Sequence, residues 1–168
     1  MPEKYLQSRL ADYSFFATTD VLIKNVVSIG DGVLVIGYPL WLKHRTTNLP
    51  LVRTGLICTN MREDLEISIK ENGRIRNRIV RGFIIDGGTS PGPSGSPVIH
   101  YPPLSRVTNE GVITFGFGNP YLLGIVSESR LAIVESDSGD AYPTLSELST
   151  VFNADTIKET IEEFFPNE

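Results

Sequence analysis

Cysteine is nearly absent from this sequence of 168 residues, with Cys58 as its single representative. A chain with one cysteine cannot form an internal disulfide, which is typical of proteins kept in a reducing compartment. We therefore expect a cytoplasmic location. Because there is no second cysteine to join it, Cys58 is expected to be a small buried hydrophobe rather than a metal or redox residue.

Long apolar runs and an excess of basic charge are also missing. No stretch of about 18 apolar residues is present, so no transmembrane helix is expected. The first residues, MPEKYLQSRLADYSFF, carry charges and lack the apolar core of a signal peptide. The formal net charge is −5, which argues against a general role in nucleic-acid binding. The sequence thus predicts neither a membrane nor a nucleic acid as a partner.

Short apolar segments, separated by glycine, proline and polar residues, fill the chain from residue 30 onward. This punctuation predicts short strands joined by turns. The predicted strands are 33–39, 51–59, 82–86, 96–101, 112–117, 121–127 and 151–152. Residues 130–139 are predicted to be a strand that leads into a loop, and 65–79 a hairpin. Residues 1–29 show no sustained period and are assigned to an N-terminal extension, whereas 30–168 are assigned to one β domain with a terminal helix.

The 65–79 hairpin has a predicted register. A three-residue loop, 71–73, places Gly73 where the chain needs a positive φ. The pairs that follow are Ile69 with Ile75 and Leu65 with Ile79 on one face, and Glu66 with Arg78 and Ser68 with Arg76 on the other. The arginines at 74, 76 and 78 share a face by the period of two. Two interpretations stay open for them: a solvated face paired with Glu66 and its neighbours, or an anion-binding patch.

The end of the chain changes period. Apolar residues at 157, 161, 164 and 165 are spaced i, i+4, i+7 and i+8, which predicts one apolar stripe of a helix. Thr156 and Glu159 fit a capping box at its start. Pro166 cannot continue the helix. The sequence therefore predicts many short antiparallel strands followed by one terminal helix.

The segment TSPGPSGSPV, residues 89–98, packs glycines, prolines and serines in front of an apolar strand. Its core, GPSGSPV, resembles the nucleophile motif of trypsin-like serine peptidases. Three segments accompany it in the family's order: VLVIGYP resembles the first strand of the second barrel, YLLGIVS the strand that lines the cleft, and STVFNADTIKETIEEF the last strand and helix. The resemblance covers about residues 30–165.

This resemblance implies a mainly β fold: one antiparallel, six-stranded Greek-key barrel, the second of the family's two, with an extra hairpin and a C-terminal α-helix. It also implies a serine endopeptidase that acts through an acyl-enzyme on Ser94, with the N–H groups of Gly92 and Ser94 as the oxyanion hole. Many relatives carry, at the place of Pro93, an Asp that pairs with a new N-terminus. Activation by N-terminal cleavage is therefore not expected.

The resemblance to trypsin-like peptidases also implies which residues contact a substrate. The residues concerned are Gly88, Thr89 and Ser90 at the wall and base of the substrate pocket, and Ser127, Glu128 and Ser129 at the edge of the cleft. Gly88 falls where some relatives carry a charge that selects basic side chains, so a preference for small or apolar side chains is expected. The implied partner is a peptide or protein, and no cofactor or metal is implied.

The base that a nucleophilic serine needs is not evident. His100 leaves the motif on a strand, and four strand residues from Ser96 span about 13 Å, so the strand carries it away from Ser94. A half-buried or surface strand position is expected for it. His44 falls in the loop after the first predicted strand and is expected to be solvated. Asp12 and Asp20 fit no family motif and are expected to be surface or capping residues.

Three explanations for the missing base stay open. The chain is part of a longer peptidase whose first barrel supplies the His and Asp, or it has kept the fold and lost the chemistry, or another residue serves as base. Three functions also stay open: an endopeptidase that is incomplete in this chain, a non-catalytic peptide- or protein-binding barrel, and a purely structural barrel. A missing barrel would leave an apolar surface exposed, so a homodimer or an N-terminal barrel is an expected partner.

Overall fold

The computed structural model describes residues 13–24, 27–38, 46–71, 74–87, 94–107, 111, 113–115, 119–135 and 141–165. Its helical segments are the 3₁₀ turn Tyr13–Phe15, α1 (Thr19–Lys24) and α2 (Ala154–Phe164). Its strands are β1 (Gly32–Gly37), β2 (Leu51–Ile57), β3 (Leu65–Glu71), β4 (Arg74–Val80), β5 (Gly82–Asp86), β6 (Pro97–Tyr101), β7 (Ser105–Val107), β8 (Ile113–Phe115), β9 (Leu122–Glu135) and β10 (Ala141–Asn153). None of the helices in these ranges is long and apolar enough to cross a membrane.

Six of the strands close into a barrel in the order β1-β2-β5-β10-β9-β6, and β6 returns to pair with β1. All neighbours in the barrel are antiparallel. Strand β6 lies beside β1 although two other barrel strands separate them in sequence, which is the strand order of a Greek key. The predicted fold class, a mainly β six-stranded antiparallel barrel with an added hairpin and a C-terminal helix, is confirmed.

The barrel interior is filled by side chains that alternate along each strand. The inward residues are largely β-branched or aromatic, which favours strands packed on a shared core. The buried core residues of the barrel strands are Val33, Val35, Ile57, Phe83, Ile85, Val98, Leu123, Val126 and Val151. Burying one side chain of this size contributes about 1.5–3 kcal/mol. This packing fixes the strand ends that carry the candidate site.

The β3–β4 hairpin pairs in a register that differs by one residue from the predicted one. Leu65 pairs with Val80, Ile69 with Arg76 and Glu71 with Arg74, so only residues 72 and 73 join the strands. The prediction was wrong because it assumed that one face of the hairpin is buried. Ile75 and Ile79 are instead 74% and 70% exposed, so burial does not set the register. A two-residue Asn-Gly connection, which favours a tight hairpin turn, matches the observed pairing.

The segment 13–24 packs onto the barrel and meets the C-terminal helix. Ala17 donates its N–H to the carbonyl of Leu122, and Ala17 and Leu22 lie in the buried core. The N–H and hydroxyl of Thr19 donate to Oδ2 of Asp155, at 2.9 and 2.6 Å. The two ends of the described chain are therefore joined directly.

The cap of α2 is Asn153, not the predicted Thr156. Asn153 Oδ1 accepts hydrogen bonds from the N–H of Thr156 at 3.1 Å and from its hydroxyl at 2.8 Å. The carboxylate of Glu159, the predicted partner in a capping box, instead accepts hydrogen bonds from both terminal guanidinium nitrogens of Arg81. The capping-box prediction failed because the helix begins three residues earlier than that motif requires and because Arg81 binds the Glu159 carboxylate.

Candidate functional site

A turn at Ser94 and Gly95 leads into β6 and presents an exposed serine. Gly95 has a φ of 84°, a left-handed conformation that glycine adopts without steric cost. The Gly95 N–H donates to the carbonyl of Val126 at 2.7 Å, and the Val126 N–H donates to the carbonyl of Ser96 at 2.9 Å. Two backbone hydrogen bonds therefore fix the turn to β9.

The N–H and the hydroxyl of Ser94 differ from those of a serine held inside the fold. Neither its N–H nor its hydroxyl is hydrogen-bonded to any residue there. By contrast, Ser96 is only 6% exposed and its Oγ faces β1, where a Cβ atom on Gly37 would collide with it. The turn thus separates one buried serine from one solvent-facing serine.

An open pocket of about 560 Å³ lies beside this turn. Its described lining residues come from the end of β1, the start of β2 and the start of β6: Ile36, Gly37, Tyr38, Pro50, Ser94, Gly95, Ser96 and Pro97. The Tyr38 hydroxyl donates to the carbonyl of Asn48 at 2.7 Å, which holds its ring in place. Ser94 therefore lines a pocket whose described residues are uncharged and mainly apolar.

Strand β9 passes the turn on its other side. Its pairing with β6 covers Leu122 to Ile125, and the contacts of Val126 with Gly95 and Ser96 complete it. From Glu128 to Glu135 the strand pairs with β10 on one side, and no described strand pairs with the opposite side from Ser127 onward. The register shift between Thr150 and Val151 leaves Ser127 as the extra residue on β9. Among the described residues, an edge of β9 without a strand partner therefore starts next to Ser94.

The sequence-predicted site residues are only partly covered by the structure. Ser94 lies at the turn, Ser127 is half-buried in β9, and Glu128 is exposed opposite Thr150. Ser129 pairs with Ser149 farther along the same strand. Four predicted site residues lie outside the described residues: Gly88, Thr89, Ser90 and Gly92. The structure thus brings Ser94 next to the start of the predicted cleft edge.

The expected position of His100 was wrong, because this side chain is 5% exposed rather than half-buried or at the surface. The period of two along β6 places it inward with Val98. Its Nε2 lies 3.2 Å from Oδ2 of Asp31, and the same oxygen accepts the N–H of Ser28 at 2.9 Å. A buried imidazole is tolerated there because the carboxylate provides a hydrogen-bond partner.

The described part of the chain brings no other candidate for the base or its orienting carboxylate to Ser94. His44 and Asp12 lie outside the described residues, and Asp20 is an exposed residue of the first turn of α1. His100 lies at the opposite end of β6 from the turn. Within the described ranges, then, no imidazole hydrogen-bonds the Ser94 hydroxyl.

Sequence reasoning missed the pocket beside Ser94. Tyr38 and Pro50 are distant in sequence but flank the cross-strand pair Gly37 and Leu51. The signal was the antiparallel pairing of the first two predicted strands, which brings the residues around their loop to the same barrel end as the motif. The described residues contain no group of three or more His, Cys, Asp or Glu side chains that could hold a metal ion.

The resolved pKa shifts lie away from the Ser94 turn. Burial is the largest effect on Cys58 and raises the pKa of its thiol; the charge of Asp86 raises it further, and a hydrogen bond from the Asp86 backbone opposes both. At the surface, the hydrogen bond with Arg81 lowers the pKa of Glu159. Neither Cys58 nor Glu159 lines the pocket. The described lining residues are all of uncharged types.

No protein-family model matches the chain, and a comparison with curated proteins finds no match. The six-stranded barrel by itself does not specify a function, because one architecture supports many activities. The functional argument therefore starts from the Ser94 turn, the pocket at its side and the open edge of β9.

Proposed function

We propose that this chain is the nucleophile-bearing barrel of a trypsin-like serine endopeptidase, with Ser94 as the nucleophile. In this reaction the Ser94 oxygen attacks the carbonyl carbon of a peptide bond while a general base takes the hydroxyl proton. The proton passes to the amine, which leaves as the bond to the carbonyl carbon breaks. Water then hydrolyses the ester on Ser94 and restores the hydroxyl.

The observation that carries the proposal is the Ser94–Gly95 turn. The turn holds an exposed hydroxyl on a rigid strand end, with the left-handed φ of Gly95 and two hydrogen bonds to β9 as its supports. The Ser94 N–H has no partner in the described part of the chain, so it can donate to a developing oxyanion. GPSGSPV, the motif that resembles the family's nucleophile loop, contains this turn and its N-terminal flank.

The open edge of β9 supports a peptide as the substrate. An extended peptide can add to an exposed strand edge through main-chain hydrogen bonds. The edge begins at Ser127, directly after the residue that binds the turn. A peptide on this edge would pass the Ser94 hydroxyl.

The general base belongs to residues outside the described part of the chain or to a second unit. His100 is committed to Asp31 in the barrel interior, which removes it from this role. His44, which lies outside the described residues and between Tyr38 and Thr46 in the sequence, is one candidate source within the chain. An N-terminal barrel that supplies His and Asp is the other source that the family resemblance implies.

A fluorophosphonate probe tests the proposal, because it reacts with activated serines. We expect the intact chain to be labelled at Ser94, as located by peptide mapping, and Ser94→Ala to abolish the label. Ser105→Ala, at an exposed serine of β7, is the matched control and should leave labelling unchanged. His44→Ala distinguishes the two sources of the base. Folded chain that takes up no label, with or without a candidate partner barrel, would contradict the proposal.

A binding barrel without catalysis is the second candidate, favoured by the side of β9 that no described strand pairs from Ser127 onward. Under this function, peptides should bind equally well to the natural chain and to Ser94→Ala. Isothermal titration with extended peptides, combined with the labelling result, separates the two. Peptide binding without any labelling of Ser94 supports the binding barrel.

A further inference from the structure

The pocket beside Ser94 lies on the side of β6 away from β9. We propose that it is a subsite for an uncharged, apolar side chain of the peptide that Ser94 attacks. This inference rests on the proposed function, because Ser94 forms the rim of the pocket.

The position of the pocket sets which part of the peptide reaches it. In the barrel, β6 has β9 on one side and β1 on the other. From β9 to β1 is two inter-strand spacings, about 10 Å, which an extended peptide covers in about three residues. A peptide that starts on the β9 edge and passes Ser94 therefore brings a side chain about three residues farther on to the pocket.

The lining selects the chemistry of this side chain. Ile36, Pro50, Pro97 and the ring of Tyr38 supply apolar surface, while the polar side chains are the hydroxyls of Ser94 and Ser96 and the phenol of Tyr38. The described lining residues carry no charge, so they offer none to offset the water that a charged side chain loses on burial. The volume of about 560 Å³ falls within the range of small-molecule sites, which leaves room for an aromatic ring.

The pocket is formed before a ligand arrives. Tyr38 is tied to the carbonyl of Asn48, which has a φ of 50°. On the opposite wall, the close approach of Gly37 to Ser96 sets the distance between β1 and the turn. A wall fixed in this way does not have to be ordered on binding, which lowers the entropic cost.

Binding can be measured without turnover. The Ser94→Ala chain, labelled with ¹⁵N, is titrated with N-acetyl-phenylalaninamide. The ligand controls are N-acetyl-glycinamide, which has no side chain, and the α-amide of N-acetyl-aspartic acid, which has a charged one. We expect the phenylalanine compound alone to shift the amide signals of Gly37 and Gly95. Tyr38→Ala should weaken its affinity about tenfold or more, since the ring forms much of the apolar wall.

Two matched variants keep the test specific. Tyr101→Ala removes an exposed tyrosine at the opposite end of β6 and should leave the affinity unchanged. Tyr38→Phe keeps the ring and should retain most of the binding. Equal shifts with the glycine compound, or equal losses in the Tyr38 and Tyr101 alanine variants, would overturn the proposed subsite.

A protection assay separates this inference from the peptidase proposal. In the natural chain, N-acetyl-phenylalaninamide should slow fluorophosphonate labelling of Ser94, and Tyr38→Ala should remove the protection. Labelling that the compound never slows refutes the subsite and leaves the nucleophile intact. Binding in the pocket with no labelling at all refutes the peptidase, and with it the assignment of the pocket to a substrate.

Discussion

At the scale of single residues, Gly95 has a role that no other residue type fills easily. Its φ of 84° lies in the left-handed region, where an L residue with a Cβ atom is strained by about 1–2 kcal/mol. A Cβ atom there would have no neighbour within 4 Å, so the strain comes from the backbone alone. The conformation matters because it turns the Gly95 N–H toward Val126 and leaves Ser94 at the surface.

We expect Gly95→Ala to reduce fluorophosphonate labelling of Ser94 at least tenfold and to lower the free energy of unfolding by about 1–2 kcal/mol. Gly111→Ala is the matched control, since Gly111 has a φ of 78° and equally open surroundings. It should cost similar stability in chemical denaturation but leave labelling unchanged. Equal labelling of the two variants would show that the Gly95 turn does not position Ser94.

Cys58 gives a pH-dependent expectation. Because burial raises the pKa of its thiol, the folded chain holds less of the reactive thiolate at neutral pH than the unfolded chain does. Alkylation by iodoacetamide should therefore keep accelerating with pH beyond the point at which the urea-unfolded chain levels off. The pH of the plateau, rather than the absolute rate, tests the shift, because partial burial also slows access. Coincident pH profiles would contradict it.

At the scale of secondary-structure elements, the sequence predicts strands well where glycine or proline ends them. Strand β5 has the predicted bounds because Gly82 and the Gly87-Gly88 pair enclose a continuous apolar run. Strand β9 runs without a break from Leu122 to Glu135, whereas the sequence predicts two separate segments, 121–127 and one that begins at residue 130. The polar residues between them interrupt the apolar pattern, but pairing with β10 continues through them at Glu128 and Ser129.

The start of α2 provides a test at this scale. Asn153→Ala removes the acceptor for the Thr156 N–H and should destabilise the chain by about 1 kcal/mol. Asn153→Asp replaces the amide oxygen with a carboxylate oxygen that also accepts the hydrogen bond, so the free energy of unfolding should hardly change. Thermal unfolding of both variants measures the difference. If both variants unfold together with the natural chain, Asn153 is not the cap that stabilises the helix.

At the scale of the whole molecule, the residues alone predicted strands but not the order in which they close. The barrel depends on pairs far apart in sequence, such as Val33 with His100 and Ile57 with Ile85, and the resemblance carried by the motif was needed to predict it. The same holds for the site. A local motif identified Ser94, whereas Tyr38 and Pro50 become its neighbours only after β1 and β2 pair.

The hydrogen bonds between Thr19 and Asp155 have a consequence for circular permutation of the chain. They place the first and last described helices in contact, and residues 166–168 and 1–12 together could span about 50 Å when extended. A circular permutant of residues 1–168 could therefore join Glu168 to Met1 and open between β3 and β4, where the side chains of β4 from Arg74 to Ile79 are exposed. The barrel order would be kept while β4 became the first strand of the chain.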